Sequence, residues 1–143
     1  MTGKVFIDTN ILVYSMDVHD PRKRNACRLL LREAAEGNNG VISTQVLQEF
    51  YVAATVKLKA DPLEVKAVLN SFENYEVISI TPMLIKEAID CQIINRISFW
   101  DSLIVVAAEY SKCAVLWTED LNEGQVIRGV KIVNPLKREK KGK

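Results

Sequence analysis

Short apolar segments alternate along this chain with longer segments in which apolar residues recur every three or four positions. The short segments are rich in β-branched residues, which favours strands, and the longer ones have the period of amphipathic helices. Strands that alternate with helices form a parallel sheet covered by helices on both faces. The pattern therefore predicts an α/β fold, a three-layer α/β/α domain with a mostly parallel sheet of about five strands. The predicted strands are 5–7, 40–43, 76–80, 114–117 and 130–133.

Most of the predicted helices begin at a recognisable capping sequence. Asp or Thr followed by Pro is typical of a helix start, because the first side chain caps free N–H groups and proline suits the first helical position. A further helix is expected from Ser43 or Thr44 to about Leu58, and another from Ser98 to Tyr110. The last has apolar side chains around nearly its whole circumference, which predicts the most enclosed helix of the fold. The three starts marked by proline are Asp20-Pro21, Asp61-Pro62 and Thr81-Pro82.

Length and composition restrict the class of protein. The 143 residues suit one domain, expected over 1–136, followed by a basic, disordered tail over 137–143. Three widely spaced cysteines predict reduced core residues in a cytoplasmic protein, and the single histidine disfavours a zinc site or a histidine-based triad. No apolar run reaches the roughly 18 residues of a membrane span, and we expect no signal peptide before the first strand. The net charge of +1 leaves nucleic-acid binding open.

A polar triplet, Asp8-Thr9-Asn10, directly follows the first predicted strand. One interpretation is a strand-to-helix turn in which Asp8 or Thr9 caps the next helix. The other is a ligand site, because open α/β sheets bind ligands at the carboxyl ends of their strands. Thr118-Glu119-Asp120 repeats this arrangement after the fourth predicted strand.

Two further acids are candidates for the same edge of the sheet. Glu49 lies in the helix after the second strand, where Val52, Ala53 and Val56 are its neighbours; the alternative is a partly exposed acid whose stem packs on Val52. Asp101 lies in the first turn of the helix that begins at Ser98, and the Ser-x-x-Asp spacing resembles a capping box, which by itself would explain an acid there. That helix precedes the fourth strand, so placing Asp101 at this edge is an inference.

Four carboxylates gathered at one edge of a sheet need a cation. Two of them about 4 Å apart repel by about 4 kcal/mol at an effective dielectric constant of 20. Oxygen ligands without histidine or thiolate suit Mg²⁺ or Mn²⁺. Such an ion activates water and offsets charge on a phosphoryl group, so the set predicts hydrolysis of a phosphodiester. We expect the neutral side chains of Thr9, Asn10 and Thr118 to orient ligands or water around it.

Four segments in this order resemble the PIN-domain nucleases, and most of all the VapC toxin ribonucleases of VapBC toxin–antitoxin pairs. They are Val-Phe-Ile-Asp-Thr-Asn-Ile-Leu from Val5, Glu49, Phe-Trp-Asp-Ser-Leu-Ile from Phe99, and Leu-Trp-Thr-Glu-Asp-Leu-Asn from Leu116. The resemblance implies a PIN-like fold and a Mg²⁺- or Mn²⁺-dependent endoribonuclease that cuts RNA, forms a homodimer and is inhibited by a small VapB-like antitoxin.

The resemblance also assigns residues. It places the catalytic and metal-binding quartet on Asp8, Glu49, Asp101 and Asp120, and the family's common threonine on Thr118. Glu119 and Glu123 follow as possible outer contributors to the metal site.

A stripe of arginines is the second candidate for RNA contact. Arg24, Arg28 and Arg32 are spaced by four along one predicted helix and span about 12 Å. They predict either a phosphate contact outside the metal site or a solvated face paired with Asp20 and Glu36.

Three other functions are compatible with the same acids. An aspartyl-phosphate hydrolase would use Asp8 as nucleophile, but Asn10 stands where such enzymes have a second aspartate. A non-catalytic module would keep the acidic pocket for binding a partner. A PIN-type RNA-processing nuclease would have the same chemistry and no antitoxin.

Overall fold

The computed structural model describes residues 3–137. Its sheet has the strand order β3-β2-β1-β4-β6-β5, and every neighbouring pair is parallel except β5 and β6. The mostly parallel three-layer α/β fold is therefore confirmed. The strands are β1 Lys4–Ile7, β2 Gly40–Ser43, β3 Glu76–Ile78, β4 Cys113–Trp117, β5 Val126–Ile127 and β6 Val130–Val133.

One strand is additional to the five expected from the sequence. The two-residue β5 pairs antiparallel with β6 across the turn Arg128-Gly129, in which both residues have positive φ (53° and 79°). Two positive φ angles are what a tight two-residue hairpin requires, and glycine adopts the second without strain. The third strand is shorter than predicted, because the Ile80 N–H donates to the Thr44 hydroxyl (3.1 Å) rather than to a neighbouring strand.

The helix starts follow the capping chemistry of the sequence. Asp20, Ser43, Asp61, Thr81 and Ser98 are the N-caps of their helices, and each accepts a hydrogen bond from a backbone N–H in the first turn. The helices are α1 Thr9–Tyr14, α2 Pro21–Glu36, α3 Thr44–Val56, α4 Pro62–Ser71, α5 Pro82–Asn95 and α6 Phe99–Tyr110, with a 3₁₀ turn at Phe72–Asn74.

The order of the strands determines which face each helix covers. The chain moves from β1 to β2 to β3 in one direction across the sheet and then returns past β1 to β4. Because crossovers between parallel strands are right-handed, helices α1 to α4 lie on one face and α5 with α6 on the other. The direction reverses between β1 and β4, which is where open α/β sheets form a ligand crevice at the carboxyl ends of their strands.

Helix α6 forms much of the core, as predicted. The seven residues from Ser102 to Ala108 are all buried, but the two aromatic residues near the helix ends, Trp100 and Tyr110, are 61% and 57% exposed. Only the middle of the helix is therefore buried on all sides. The three cysteines are buried and form no disulfide.

Within residues 3–137 no single helix is long and apolar enough to cross a membrane. Helices α5 and α6 together have the length and composition for it, but they are bent by 115° and α6 is a core helix. The predicted domain boundary at 136 stays a prediction, since residues 138–143 of the expected tail lie outside the described part of the chain.

Candidate active site

Asp8 and Asp120 follow the two strands that flank the crevice. Ile7 and Trp117, the last residues of β1 and β4, are paired, and Asp8 N donates to the Trp117 carbonyl (3.0 Å). The buried Thr118 hydroxyl then donates to Asp8 Oδ2 (2.7 Å) and accepts from Asp120 N (3.0 Å). One hydroxyl thus connects the two carboxylate-bearing segments.

Asp8 also performs the structural role that the sequence left open. It is the N-cap of α1, and its Oδ1 accepts from Thr9 N (2.7 Å). Because Oδ2 is held by Thr118, both oxygens of the carboxylate have a fixed donor. The capping and site interpretations of Asp8 are therefore compatible.

Glu49 is held in the same way from two sides. Thr9 Oγ1 donates to its Oε1 (2.7 Å), and Gln45 Nε2, one helical turn earlier on α3, donates to its Oε2 (3.0 Å). The Gln45 amide also donates to the backbone carbonyl of Trp100 (3.2 Å), which connects α3 to the first turn of α6. Asp101 is brought to the site by that first turn.

Asp101 likewise has two roles: it takes part in the capping of α6 and it lines the cavity. Ser98 Oγ accepts from Asp101 N (3.0 Å), which is the N-cap half of a capping box, and the Ser98 side chain also lowers the pKa of the Asp101 carboxyl. The same carboxylate lies on the wall of the cavity that Asp8 and Glu49 line.

Burial makes Asp8 a weak acid in this fold. Its side chain is only 5% exposed, and the loss of hydration raises its pKa from 3.8 to about 7, although the bonds from Thr118 and Thr9 N oppose this. Repulsion from Asp120 and Glu49 adds to the rise. Near neutral pH, Asp8 is therefore protonated for part of the time.

The pKa values of Asp101 and Asp120 are raised as well. Burial is the main cause for both; Glu49 raises the pKa of Asp101 further, and Asp101 and Glu119 raise that of Asp120. The contact of Ser98 with Asp101 and that of Asn10 with Asp120 oppose these shifts. The carboxylates thus repel one another across the site, and a bound cation would relieve that repulsion.

The four acids line one cavity of about 640 Å³, here called the acidic cavity. In the described chain, no three acidic, histidine or cysteine side chains stand close enough together to hold a metal ion as they are placed. The carboxylates thus lie around the cavity and do not converge on one metal position. Their chemistry fits a hard cation, because they supply oxygen ligands, and mutual repulsion and burial disfavour their charged forms without one.

Residues 5–126 match the family known as the PIN domain, which is most of the chain. The chain belongs to the PIN domain family. No curated protein matches it significantly.

Solved structures with the fold of this PIN domain include three toxins or toxin complexes. VapC20 from Mycobacterium tuberculosis, a sarcin-ricin loop cleaving toxin, has a TM-score of 0.68 at 16% identity, over 82% of this chain and 92% of that one. A toxin–antitoxin complex from Klebsiella pneumoniae has a TM-score of 0.66 at 20% identity, over 92% and 98%. DNA-bound VapBC from Salmonella typhimurium has a TM-score of 0.65 at 21% identity, over 92% of this chain and 97% of that one. At these identities the likeness establishes a shared fold.

Some of the residues predicted to assist the four carboxylates lie beside them in this PIN domain, and others do not. Thr9, Thr118 and Asn10 lie beside the carboxylates, as described above. Glu119 lines the acidic cavity, but its carboxylate accepts a short hydrogen bond from the Tyr14 hydroxyl and lies 3.7 Å from Lys23 Nζ. Glu123 does not line the cavity; it accepts from Asn134 N (2.6 Å) and holds the end of β6. The contribution of Glu123 to a metal site thus gains no support from its position and stays a prediction.

None of the three arginines of the stripe, all on α2, lines the acidic cavity. Arg28 Nε donates to the Ser15 carbonyl (2.7 Å), Arg32 is exposed, and Arg24 is half-buried. The stripe is thus not uniformly solvated, and a contact of these residues with phosphates stays a prediction.

Four further side chains at the cavity, Gln45, Tyr14, Lys57 and Trp100, had no site role predicted from the sequence. Gln45 is buried and orients Glu49, and its position four residues earlier on the same helix is a pattern that would have identified it. Tyr14 lies 105 positions from its partner Glu119, so no local pattern connects them. Lys57 and Trp100 also line the cavity, beside Glu49 and Asp101.

Proposed function

We propose that this PIN domain is a metal-dependent endoribonuclease, a hydrolase of RNA phosphodiester bonds, and the toxin of a type II toxin–antitoxin pair. The observation that carries the proposal is the meeting of four carboxylates from four separate segments of the chain around one cavity. They are Asp8, Glu49, Asp101 and Asp120. Acids so far apart in sequence, at the switch point of the sheet, favour a catalytic site over a purely structural one.

The four carboxylates are the residues that would hold Mg²⁺ or Mn²⁺. Such an ion supplies an activated water and offsets negative charge on the phosphoryl group. This assignment rests on the oxygen-donor chemistry of the cavity and on the raised pKa values of Asp8, Asp101 and Asp120.

The other side chains orient these carboxylates. Thr118 and Thr9 N each hold one oxygen of Asp8, and Thr9 Oγ1 and Gln45 each hold one oxygen of Glu49. Carboxylates with both oxygens fixed lose little further freedom when a ligand enters the site. With its pKa near 7, Asp8 holds a proton at one carboxylate oxygen for part of the time at neutral pH, and would release it on binding a cation.

The toxin assignment rests on the resemblance of the motifs and on the similar structures. One of those structures is a loop-cleaving toxin and another is a toxin–antitoxin complex. We propose that this chain binds a small antitoxin and, as the resemblance of its motifs implies, forms a homodimer. An arginine of the antitoxin that enters the acidic cavity would pair with its carboxylates bidentately and exclude the metal ion.

The nuclease proposal is tested by incubating wild type and Asp8→Asn with single-stranded RNA in Mg²⁺, Mn²⁺ or EDTA. We expect cleavage only by wild type with a divalent ion. Cleavage that persists in EDTA would refute metal dependence, and cleavage by Asp8→Asn at the wild-type rate would refute the site. Absence of any nuclease activity would favour the non-catalytic binding module.

The toxin proposal is tested separately, by expression in cells. Wild type should slow growth, while Asp8→Asn, or co-expression of an antitoxin encoded beside this gene, should relieve the inhibition. Normal growth with high levels of catalytically active wild type would contradict the toxin assignment and favour an RNA-processing nuclease without antitoxin.

A further inference from the structure

A second cavity adjoins the acidic one and shares a wall with it. It has a volume of about 510 Å³ and is here called the Trp100 cavity. Its size lies in the range of small-ligand sites. The residues that line both cavities are Gln45, Glu49, Ala53, Lys57 and Trp100, and those that line only the second are Gln48, Val52 and Val56.

The walls of the Trp100 cavity combine apolar surface with polar groups. Trp100, Val52 and Val56 are 61%, 57% and 60% exposed, so three large apolar side chains face solvent in one concave place. Singly exposed apolar residues are ordinary, but a cluster beside a polar site marks a binding surface. Gln48 and Lys57 add hydrogen-bond donors and a positive charge to the same walls.

The indole of Trp100 is held in place at the shared wall. Its ring meets the Phe99 ring edge to face, with centroids 5.1 Å apart and an angle of 76° between the planes. The backbone carbonyl of the same residue accepts from Gln45 (3.2 Å), which also orients Glu49. The bond fixes the backbone of Trp100 and the Phe99 ring limits the motion of the indole, which lowers the entropy lost when a ligand stacks on it.

We propose that the Trp100 cavity binds an unpaired nucleobase of the RNA, stacked on the indole, while the neighbouring phosphate faces the acidic cavity. The inference rests on the proposed nuclease function and adds to it a reason for preferring single-stranded RNA. A nucleobase has apolar faces and polar edges, which match the apolar walls and the Gln48 amide. Lys57 lines both cavities and supplies a charge for the phosphate that connects base and scissile bond.

The Trp100 cavity favours a base over an apolar segment of a partner protein. At the shared wall it continues into the acidic cavity, where Glu49 and Gln45 lie, so an apolar helix that filled it would cover charged and polar groups without adding a bond to them. A nucleotide fits both sides of that wall. Its base would lie in the Trp100 cavity, and its phosphodiester, the proposed substrate, would lie in the acidic cavity. Stacking on an aromatic side chain is also tolerant of base identity. Single-stranded RNA of varied sequence therefore fits the site.

The test measures binding of labelled single-stranded RNA in the Asp8→Asn background, which prevents cleavage. Trp100→Ala should weaken binding about 5- to 150-fold, the range found when aromatic stacking platforms are replaced by alanine, and Trp100→Phe should restore most of it. Tyr110→Ala is the matched control, since Tyr110 is a similarly exposed aromatic residue near the other end of the same helix. It should leave binding unchanged.

Abasic substitution along the RNA identifies the stacked base. In the Asp8→Asn protein one abasic position should weaken binding about as much as Trp100→Ala does, and that position should have no further effect once Trp100 is alanine. Unchanged RNA binding by Trp100→Ala would overturn the inference, and so would an equal loss for Tyr110→Ala or a loss that phenylalanine does not restore. Weakened binding of the antitoxin with unchanged RNA binding would assign the cavity to a protein partner. Failure of the nuclease proposal is recognised separately, by wild type that leaves RNA intact in the presence of metal.

Discussion

The buried carboxylate of Asp8 should destabilise the metal-free protein at neutral and alkaline pH. The difference between its ordinary pKa of 3.8 and about 7 in the fold corresponds to about 4 kcal/mol. The folded state binds this proton more tightly than the unfolded state, so stability falls as pH rises from about 4 to about 7. Above pH 7 the carboxylate is ionised in both states, and the cost stays constant.

Asp8→Asn removes this cost while keeping the shape of the side chain. The amide oxygen still accepts from Thr9 N, but the amide nitrogen faces Thr118 Oγ1, whose hydrogen then needs a new acceptor. Losing that bond costs about 1 kcal/mol. We therefore expect a net gain in the free energy of unfolding of about 3 kcal/mol at pH 8 and close to zero at pH 5. For a chain of this length the gain at pH 8 raises Tm by about 10 °C.

The assay is thermal unfolding of both proteins in EDTA at pH 5, 6.5 and 8, with the difference in Tm plotted against pH. The variant's advantage should increase with pH and level off above 7. Asp61→Asn is the matched control, because Asp61 is the exposed N-cap of α4 and asparagine caps helices equally well. It should change Tm little at any pH. A difference between Asp8→Asn and wild type that does not vary with pH would refute the electrostatic reasoning, and so would destabilisation that grows with pH.

Three further predictions concern the metal, the chemistry and the RNA. Mn²⁺ or Mg²⁺ at 100 times its Kd should stabilise wild type by about 2.7 kcal/mol; an equal rise in Tm after neutralising all four carboxylates would contradict the metal site. Asp101→Asn should slow RNA cleavage at least about 100-fold with unchanged circular dichroism; full activity with a lower Tm would leave Asp101 only its capping role. Neutralising Arg24, Arg28 and Arg32 together should flatten the salt dependence of RNA binding, whereas an unaltered slope would leave them without a phosphate contact.

Local patterns predicted most of the fold because they act over a few residues. The starts of α2, α4 and α5 were predicted from a capping side chain followed by proline, and each cap forms its expected hydrogen bond. The strand β5 was missed because two residues are too few to show a period, and its pairing depends on β6. Strand β3 ends two residues earlier than predicted, because the hydroxyl of Thr44, on another element, accepts from the Ile80 N–H.

The chemical types at the site were determined by the sequence, and their arrangement by the tertiary structure. The sequence by itself supplied four acids, their order and their positions next to strands or in the first turns of helices. Only the fold decided that Asp101, on a helix that precedes β4, reaches the cavity, that Glu123 does not, and that Trp100 is exposed beside it. The physical reason is that burial and the distances between charges depend on residues remote in the chain. The Asp8 pKa of about 7 arises from such contacts, above all from the packing that removes water from its side chain.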